Sequence, residues 1–227
     1  MNICAVILAA GSGSRMRASI TKQRLPILGE TVLHRAVRAF EECEVINSIV
    51  VVAREDEVSI VKSAVSDFKK IHSVVVGGKT RAESSFLGFE AIPEDADFVA
   101  IHDSARCLIN PADIAKVVCD AQKYGAATAS CVVTDTVKRV GDDGFISATE
   151  NRDCLRMAQT PQIFKKELYS RAVSSINIRD ARITDDNMLL EMTGVKVFCT
   201  DIGSYNIKIT YPDDILYTEF LLKGDSL

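Results

Sequence analysis

The sequence lacks any uninterrupted run of 18 or more apolar residues, so it contains no stretch long enough to cross a membrane as a helix. No cationic stretch precedes the N-terminal apolar run, which is unlike a secretory signal. There is also no CxxC pair, and the odd number of seven cysteines argues against a closed disulfide framework. We therefore expect a reduced, cytoplasmic protein that makes no contact with a membrane.

A basic excess is missing as well. The chain carries 27 Lys and Arg against 31 Asp and Glu, for a formal net charge of -4, which argues against a nucleic-acid partner. Acidic residues, however, are absent from residues 1–29, where Arg15, Arg17, Lys22 and Arg24 all occur. A cationic, glycine-rich opening in an acidic protein indicates that an anion binds there, although a basic surface loop would share this composition.

What the chain has in plenty is short apolar runs that alternate with helical periodicity, a pattern typical of a parallel sheet covered by helices. We predict strands at 3–8, 48–52, 73–76, 98–101 and 126–133. Helices are predicted from about Thr31 as N-cap, across 55–69, at 81–91, and from Pro111 to about Tyr124. A helical rhythm returns near Phe164, and a last helix starts near Pro212.

Residues 135–160 break this rhythm, because their β-branched residues and Gly/Asp turn favour a hairpin over a crossover helix. Such a hairpin is either a lid or an arm that reaches a partner. With no internal repeat or linker in the sequence, we predict one domain over residues 1–227, with an arm at about 135–160.

The segment after the first predicted strand reads LAAGSGSRM over residues 8–16. Its small residues let backbone N–H groups approach an anion. The segment is no Walker A loop, since GxxxxGK[ST] is absent, and the third glycine of a dinucleotide fingerprint is missing too. Arg15 and Lys22 follow the glycines, and cations so placed would neutralise charge in phosphoryl transfer.

Asp103 is expected at the carboxyl end of its strand, where open α/β sheets bind ligands, and a carboxylate there can hold Mg²⁺ that bridges phosphates. His102 beside it is expected to be structural. A nicotinamide-dependent oxidoreductase remains an alternative, but it would need an acidic residue near the end of the second strand, where Ala53 and Arg54 stand. A nucleotide-sensing module without catalytic activity is the other alternative.

Ordered blocks along the chain resemble the 2-C-methyl-D-erythritol 4-phosphate cytidylyltransferases. The blocks are AAGSGSRM with KQRLPILG, then GGxxRxxS from Gly77, HDSAR from His102, DTVKR from Asp135, QTPQ from Gln159, TDD from Thr184 and NIKIT from Asn206. The resemblance implies a Rossmann-like nucleotidyltransferase fold, with a mostly parallel twisted sheet flanked by helices and a protruding β-hairpin arm. It implies transfer of CMP from CTP to methylerythritol 4-phosphate, with release of pyrophosphate. Ribitol 5-phosphate cytidylyltransferases share most of these blocks, so that alcohol stays open.

The resemblance also assigns roles to single positions. Arg15 and Lys22 would stabilise the pentavalent transition state, and Asp103 would hold Mg²⁺ or another divalent cation. Arg152 and Lys208 would hold the phosphate of the alcohol and share in catalysis. The remaining positions implied for CTP are Ala9, Ala10, Gly11, Gly13, Gly77, Gly78, Arg81, Ser84 and Ser104. Those implied for the alcohol phosphate are Arg106, Asp135, Thr136, Arg152, Thr160, Thr184 and Lys208. The arm would cross to a second subunit in a homodimer, so that Arg152 serves the neighbour's site.

Overall fold

The architecture is a twisted seven-stranded sheet between two layers of helices. The computed structural model describes residues 1–11, 21–180 and 182–224. Gly13 and Arg15 therefore lie outside the described residues. The sheet consists of β1 (Ile3–Leu8), β4 (Ser48–Ala53), β5 (Ile71–Val76), β6 (Phe98–Asp103), β7 (Ala126–Val132), β10 (Arg156–Lys165) and β11 (Phe198–Asp201).

The order of the strands across the sheet is β11-β7-β10-β6-β1-β4-β5. β1 pairs in parallel with β4 and β6, and β4 pairs in parallel with β5. β10 is antiparallel to both of its neighbours, β6 and β7, while β11 is parallel to β7. The sheet is mostly parallel, as expected, and one antiparallel strand lies near its centre.

Alternate residues of the buried strands feed two cores. Ile3, Ala5 and Ile7 of β1 face one cluster together with helices α1 (Val32–Glu42) and α4 (Pro111–Tyr124). Cys4 and Val6 face the other cluster with α3 (Arg81–Glu90), α5 (Lys166–Ser175) and α6 (Asp186–Met192). A strand buried on both faces reads as the continuous apolar run from which it was predicted.

Local sequence signals set the ends of these helices. The predicted N-cap Thr31 accepts a hydrogen bond from the backbone N–H of His34 at 3.2 Å. Pro111 opens α4, and Gly125 ends it in the left-handed conformation with φ 88°. Thr80 and Glu83 form a reciprocal capping box at the start of α3. This box fixes the first turn of the helix, which carries Arg81 and Ser84.

The arm is a two-stranded antiparallel hairpin of β8 (Lys138–Val140) and β9 (Ile146–Thr149), and every residue in these two strands is exposed. A second small hairpin pairs β2 (Pro26–Ile27) with β3 (Glu30–Thr31). The chain closes with α7 (Asp213–Gly224). Within the described ranges, no helix combines the length and apolarity needed to span a bilayer.

Two predicted elements differ from the structure. The helix predicted at 55–69 is a 3-10 turn at Glu55–Glu57 followed by a short α2 (Val58–Ala64). The arm was predicted to run to residue 160, but residues from Arg156 onwards belong to the sheet strand β10. Three of its six buried residues, Gln159, Thr160 and Gln162, are polar, so the strand shows neither a continuous apolar run nor a regular alternation.

Candidate active site

Three chain segments that follow parallel strands converge on one cavity. They are the loop after β1, the Gly77-Gly78 turn after β5, and Asp103-Ser104 at the end of β6. This edge of an open α/β sheet is the usual place for a ligand. The cavity has a volume of about 340 Å³. Its lining includes nine of the residues predicted for the site: Ala10, Gly11, Lys22, Gly78, Arg81, Ser84, Asp103, Ser104 and Lys208.

Close packing explains the small residues of this cavity. A Cβ atom on Gly77 would lie 2.6 Å from the Cβ of Ala10, and one on Gly78 would lie 2.3 Å from the Cβ of Glu83. The Gly78 N–H donates to the Ser84 Oγ at 3.1 Å, which ties the turn to α3. A side chain at Gly77 would push the turn away from the loop after β1, and one at Gly78 would push it away from α3.

The cationic side chains of the cavity come from distant parts of the sequence. Lys22 lies in a 3-10 turn, Lys22–Arg24, and its Nζ donates to the carbonyl oxygen of Ile209 at 3.3 Å. Arg81 opens α3, and Lys208 follows β11. Next to Lys22, the buried Gln23 donates from Nε2 to the Gly11 carbonyl at 2.9 Å and so holds the loop after β1. The cavity therefore combines a backbone loop with converging positive charge, which suits a polyphosphate.

Asp103 lies between two of these cations. Its Oδ1 accepts from the Arg81 Nε at 3.0 Å, and its Oδ2 accepts from the Lys208 Nζ at 2.6 Å. Burial alone would raise the pKa of Asp103, but Arg81 and Lys208 outweigh it and hold that pKa well below its ordinary value. The carboxylate is therefore ionised throughout the neutral range.

Arg81 makes a second ion pair behind Asp103. Its Nη1 donates at 2.6 Å to the Oδ2 of Asp186, the first residue of α6. Burial disfavours a charged guanidinium, yet Asp186 and Asp103 more than compensate and raise the pKa of Arg81 above its ordinary value. The guanidinium thus bridges a carboxylate on the cavity wall and a carboxylate in the core.

A directed hydrogen-bond chain supports the backbone at Asp103. The Asp103 N–H donates to the Thr160 Oγ1 at 3.1 Å, and the Thr160 hydroxyl lies 3.0 Å from the His102 Nδ1. His102 Nε2 lies 3.2 Å from the carbonyl oxygen of Arg106, which can only accept, so Nε2 carries the proton and Nδ1 accepts from Thr160. Burial lowers the pKa of His102 to about 3, and the imidazole is neutral. His102 is structural, as expected.

The other predicted residues within the described ranges do not line this cavity. Gly77 lines an adjoining groove of about 1130 Å³, which shares Ala10, Gly78 and Lys79 with the cavity. Ala9 and Thr160 are buried, and the Ala9 N–H donates to the Val52 carbonyl oxygen at 2.7 Å. Four further residues are exposed on the arm or on the loop before α6: Asp135, Thr136, Arg152 and Thr184.

Arg106 is predicted to contact the alcohol phosphate, but it is engaged within the chain. Its Nη1 donates to the Asn206 carbonyl at 2.9 Å, and its Nη2 lies 3.5 Å from the Ala158 carbonyl. Burial lowers the pKa of its guanidinium below the usual value. Arg106 thus joins β10 to the segment that carries Lys208.

The donor set at Asp103 admits a divalent cation only as one part of a larger coordination sphere. In the described part of the chain, no three His, Cys, Asp or Glu side chains are grouped as a metal centre. Mg²⁺ commonly takes one or two carboxylates and completes its sphere with substrate phosphates and water. A lone Asp103 beside a polyphosphate site fits that use.

Polar groups and a small-residue loop meet at the carboxyl edge of a mostly parallel sheet, and together they define an α/β nucleotidyltransferase. A family model described as 2-C-methyl-D-erythritol 4-phosphate cytidylyltransferase matches residues 3–224. The chain belongs to this family of cytidylyltransferases.

Individual relatives agree with this membership over nearly their whole length. The enzyme of that name from Desulforamulus reducens is 39% identical over 226 residues, which cover 98% of this chain and 96% of the relative. The one from Clostridium acetobutylicum is 37% identical and covers 99% of both chains. A crystal structure of 4-diphosphocytidyl-2C-methyl-D-erythritol synthase from Anaerococcus prevotii superposes with a TM-score of 0.88, at 30% identity and 98% coverage of each chain.

Two residues at the site carried no predicted role. Gln23 lies in the block KQRLPILG and Asp186 in the block TDD, so the sequence displayed both without assigning them a function. Only the structure shows that Gln23 holds Gly11 and that Asp186 holds Arg81. Sequence spacing could not reveal either contact, because Gln23 is 12 positions from Gly11 and Arg81 is 105 positions from Asp186.

Proposed function

We propose that the protein transfers CMP from CTP to 2-C-methyl-D-erythritol 4-phosphate and releases pyrophosphate. The observation that carries the proposal is the cavity in which Lys22, Arg81 and Lys208 surround a small-residue loop at the carboxyl edge of the sheet. The two relatives and the solved structure named above are all described as methylerythritol enzymes, which favours this alcohol over ribitol 5-phosphate.

The reaction needs no nucleophile from the protein. A phosphate oxygen of the alcohol phosphate attacks the α-phosphorus of CTP in line, a new P–O bond forms, and the bond to the β-phosphate breaks as pyrophosphate leaves. A phosphomonoester has a second pKa of about 6 and is mostly a dianion at neutral pH, so no general base is required. The protein contributes position and charge.

Positive charge on the cavity wall supplies most of the catalysis in this scheme. Lys22 and Lys208 reach the cavity from opposite ends of the chain and would contact the phosphates, where negative charge moves toward the departing pyrophosphate. Arg15 is proposed for the same task and lies outside the described residues. Loss of one such cation commonly lowers turnover by about 10²–10³.

A divalent cation, Mg²⁺ in the first instance, is proposed at Asp103. When bound, the ion neutralises phosphate charge. Asp103 would contribute one oxygen ligand, and Arg81 and Lys208 would keep its carboxylate ionised and oriented. The adjoining groove, which Gly77 and Gly78 line, offers space for the cytidine beside this phosphate site.

The protein is proposed to act as a homodimer in which the arm completes the neighbour's site. Arg152, Asp135 and Thr136 are exposed and do not line the cavity of their own chain. Side chains that serve a second subunit would show this placement in a single chain. The exposed apolar residues Phe145 and Ile146, 75% and 64% accessible, give the arm a surface to bury in a partner.

The free cysteines are the basis for proposing a reducing, cytoplasmic location. All seven lie among the described residues and all are free thiols, four of them buried. Free thiols persist where glutathione and thioredoxin keep them reduced.

The deciding experiment measures pyrophosphate release with CTP and Mg²⁺ for two alcohols, methylerythritol 4-phosphate and ribitol 5-phosphate. Turnover with methylerythritol 4-phosphate at a kcat/KM at least about 100-fold above that with ribitol 5-phosphate, a transition-state difference of about 2.7 kcal/mol, supports the proposal. The reverse preference would instead identify an enzyme that makes CDP-ribitol, a precursor of cell-wall or capsule polymers. No turnover with either, in a preparation that binds CTP, would refute the proposed alcohol.

A further inference from the structure

We propose that Asp186 is a positioning residue for the reaction, which holds the Arg81 guanidinium against Asp103 from inside the core. The inference rests on the proposed function, because it concerns the nucleotide site of that reaction. Asp186 does not line the cavity and is 1% exposed. It would act only through Arg81.

The bonds of the Asp186 carboxylate leave it little freedom to move. Its Oδ1 accepts from the Ser85 hydroxyl at 2.6 Å and from the Tyr169 hydroxyl at 2.8 Å. Its backbone N–H donates to the Gln162 Oε1 at 3.0 Å. Burial and the nearby Asp186 charge raise the pKa of Tyr169 well above its ordinary value, so the phenol stays protonated and remains a donor. Oδ2 is the oxygen left for Arg81.

Arg81, in contrast, has one end in the core and the other at the cavity. Nη1 is paired with Asp186 and Nε with Asp103, so the planar guanidinium is fixed at two corners. Its side chain is 27% exposed and lines the cavity. A bridge fixed in this way sets the direction of the remaining N–H groups, which a phosphate or ribose oxygen could use.

Removal of the Asp186 charge would release one of these two corners. The guanidinium could then turn and form a bidentate pair with Asp103, which is the geometry that Arg and carboxylate prefer. The Arg81 guanidinium and the Asp103 carboxylate would then pair with each other, and fewer of the Arg81 N–H groups would face the nucleotide. A purely structural Asp186 would instead affect the stability of the fold and leave the nucleotide site unchanged.

The test is a double-mutant cycle on the dissociation constant of Mg²⁺-CTP, measured by calorimetry with Asp186→Asn, Arg81→Met and the double variant. We expect Asp186→Asn to weaken binding about 10-fold, which corresponds to about 1.4 kcal/mol. Because Asp186 acts through Arg81, the same substitution should change affinity less than about two-fold when Arg81 is already Met. Independent factors that multiply in the double variant would overturn the proposal, as would unchanged or tighter binding by Asp186→Asn.

Glu191→Gln is the control for charge. Glu191 lies on the same helix α6 and carries the same charge as Asp186, but it is exposed and lines neither the cavity nor the groove. This control should bind Mg²⁺-CTP within about two-fold of the original protein, because a distant surface charge has little effect on affinity. An equal loss of affinity in both variants would mean that net charge, and not Arg81, is responsible.

Two further arms separate the possible failures. If Asp186→Asn does not fold, Asp186→Glu keeps the charge but displaces Oδ2 by one methylene, and the same loss of affinity and the same dependence on Arg81 are expected. If the original protein binds no CTP, the proposed function fails together with this inference. Tight CTP binding by the original protein without coupling between positions 81 and 186 refutes the positioning role alone.

Discussion

Individual side chains in this protein gain their roles from partners that are far away in sequence. Asp103, a predicted metal ligand, is also the meeting point of Arg81 and Lys208. Thr160 is predicted to contact the substrate; in the structure its hydroxyl donates to the His102 Nδ1 and its oxygen accepts from the Asp103 N–H. Its contribution within the chain is to fix the backbone that presents Asp103.

The buried neutral His102 predicts how stability depends on pH. Its pKa is about 3 in the folded protein, whereas an unfolded histidine has a pKa of about 6.5. Between these values the unfolded state binds the extra proton, so the free energy of unfolding falls as pH decreases. Protonation of His102 in the unfolded state should lower the free energy of unfolding by up to about 3 kcal/mol between pH 7 and pH 4, as measured by urea unfolding.

The variant His102→Asn lacks this proton site and serves as the comparison. At pH 7 it should be the less stable protein, because the bonds to Thr160 and Arg106 are disturbed. The difference in unfolding free energy between the two proteins should shrink toward pH 4. Parallel stability curves would show that His102 takes up a proton while folded, contrary to its burial.

At the scale of elements, helix α3 packs against the sheet at Gly88 without room for a side chain. Gly88 faces β1 and β4, and a Cβ atom there would lie 2.4 Å from the Val6 Cγ1 and 2.7 Å from the Val52 Cγ2. The first turn of the same helix holds Arg81 and Ser84 at the cavity. The spacing of the helix from the sheet therefore sets the position of Arg81 and Ser84, the proposed nucleotide contacts.

We accordingly expect Gly88→Ala to lower the free energy of unfolding, because overpacking of a core costs about 1–3 kcal/mol. The gain in helix propensity, about 1 kcal/mol, offsets only part of this. CTP affinity should fall as well, since α3 must move outward. Thermal unfolding and CTP calorimetry measure the two effects, and Glu90→Ala on the exposed side of α3, outside the cavity and the groove, is the control. Unaltered affinity in Gly88→Ala would show that the spacing of α3 does not matter to the site.

Elements with a clear period or cap could be predicted from sequence, and those held by polar contacts could not. The continuous apolar runs gave β1, β4 and β6, and Thr31 and Pro111 marked the starts of α1 and α4. Strand β10 was missed because Gln159, Thr160 and Gln162 are buried through specific hydrogen bonds, which no hydrophobic pattern displays. Nine of the residues named for the site line one cavity because they follow strand ends and glycine turns or lie in recognisable sequence blocks; their roles stay predictions.

At the scale of the whole molecule, no residue of the arm lines the cavity of its own chain. A dimer would bring Arg152 of one chain to the cavity of the other, so the two halves of a site would come from different subunits. Subunit complementation tests this arrangement directly. Lys22→Met removes a cation of the cavity, and Arg152→Ala removes one of the arm.

Each variant alone should have little activity at low alcohol phosphate. Co-expressed chains form mixed dimers in half of the cases, and each mixed dimer has one site with both cations intact, so activity should recover to about a quarter of the original. Sedimentation would confirm that both variants are dimeric. Activity equal only to the mean of the two parents would show that Arg152 serves its own chain or no site at all.

The position of β10 between β6 and β7 has a consequence for how the protein is made on the ribosome. When residue 132 emerges, β6, β1, β4 and β5 can already pair, but β7 has no partner, because it pairs only with β10 and β11 among the described strands. The edges of β6 and β7 stay unpaired while the arm is translated, until β10, which ends at Lys165, is complete and pairs with both. Translation speed across the codons for the arm thus governs how long two apolar strand edges stay open to misassociation.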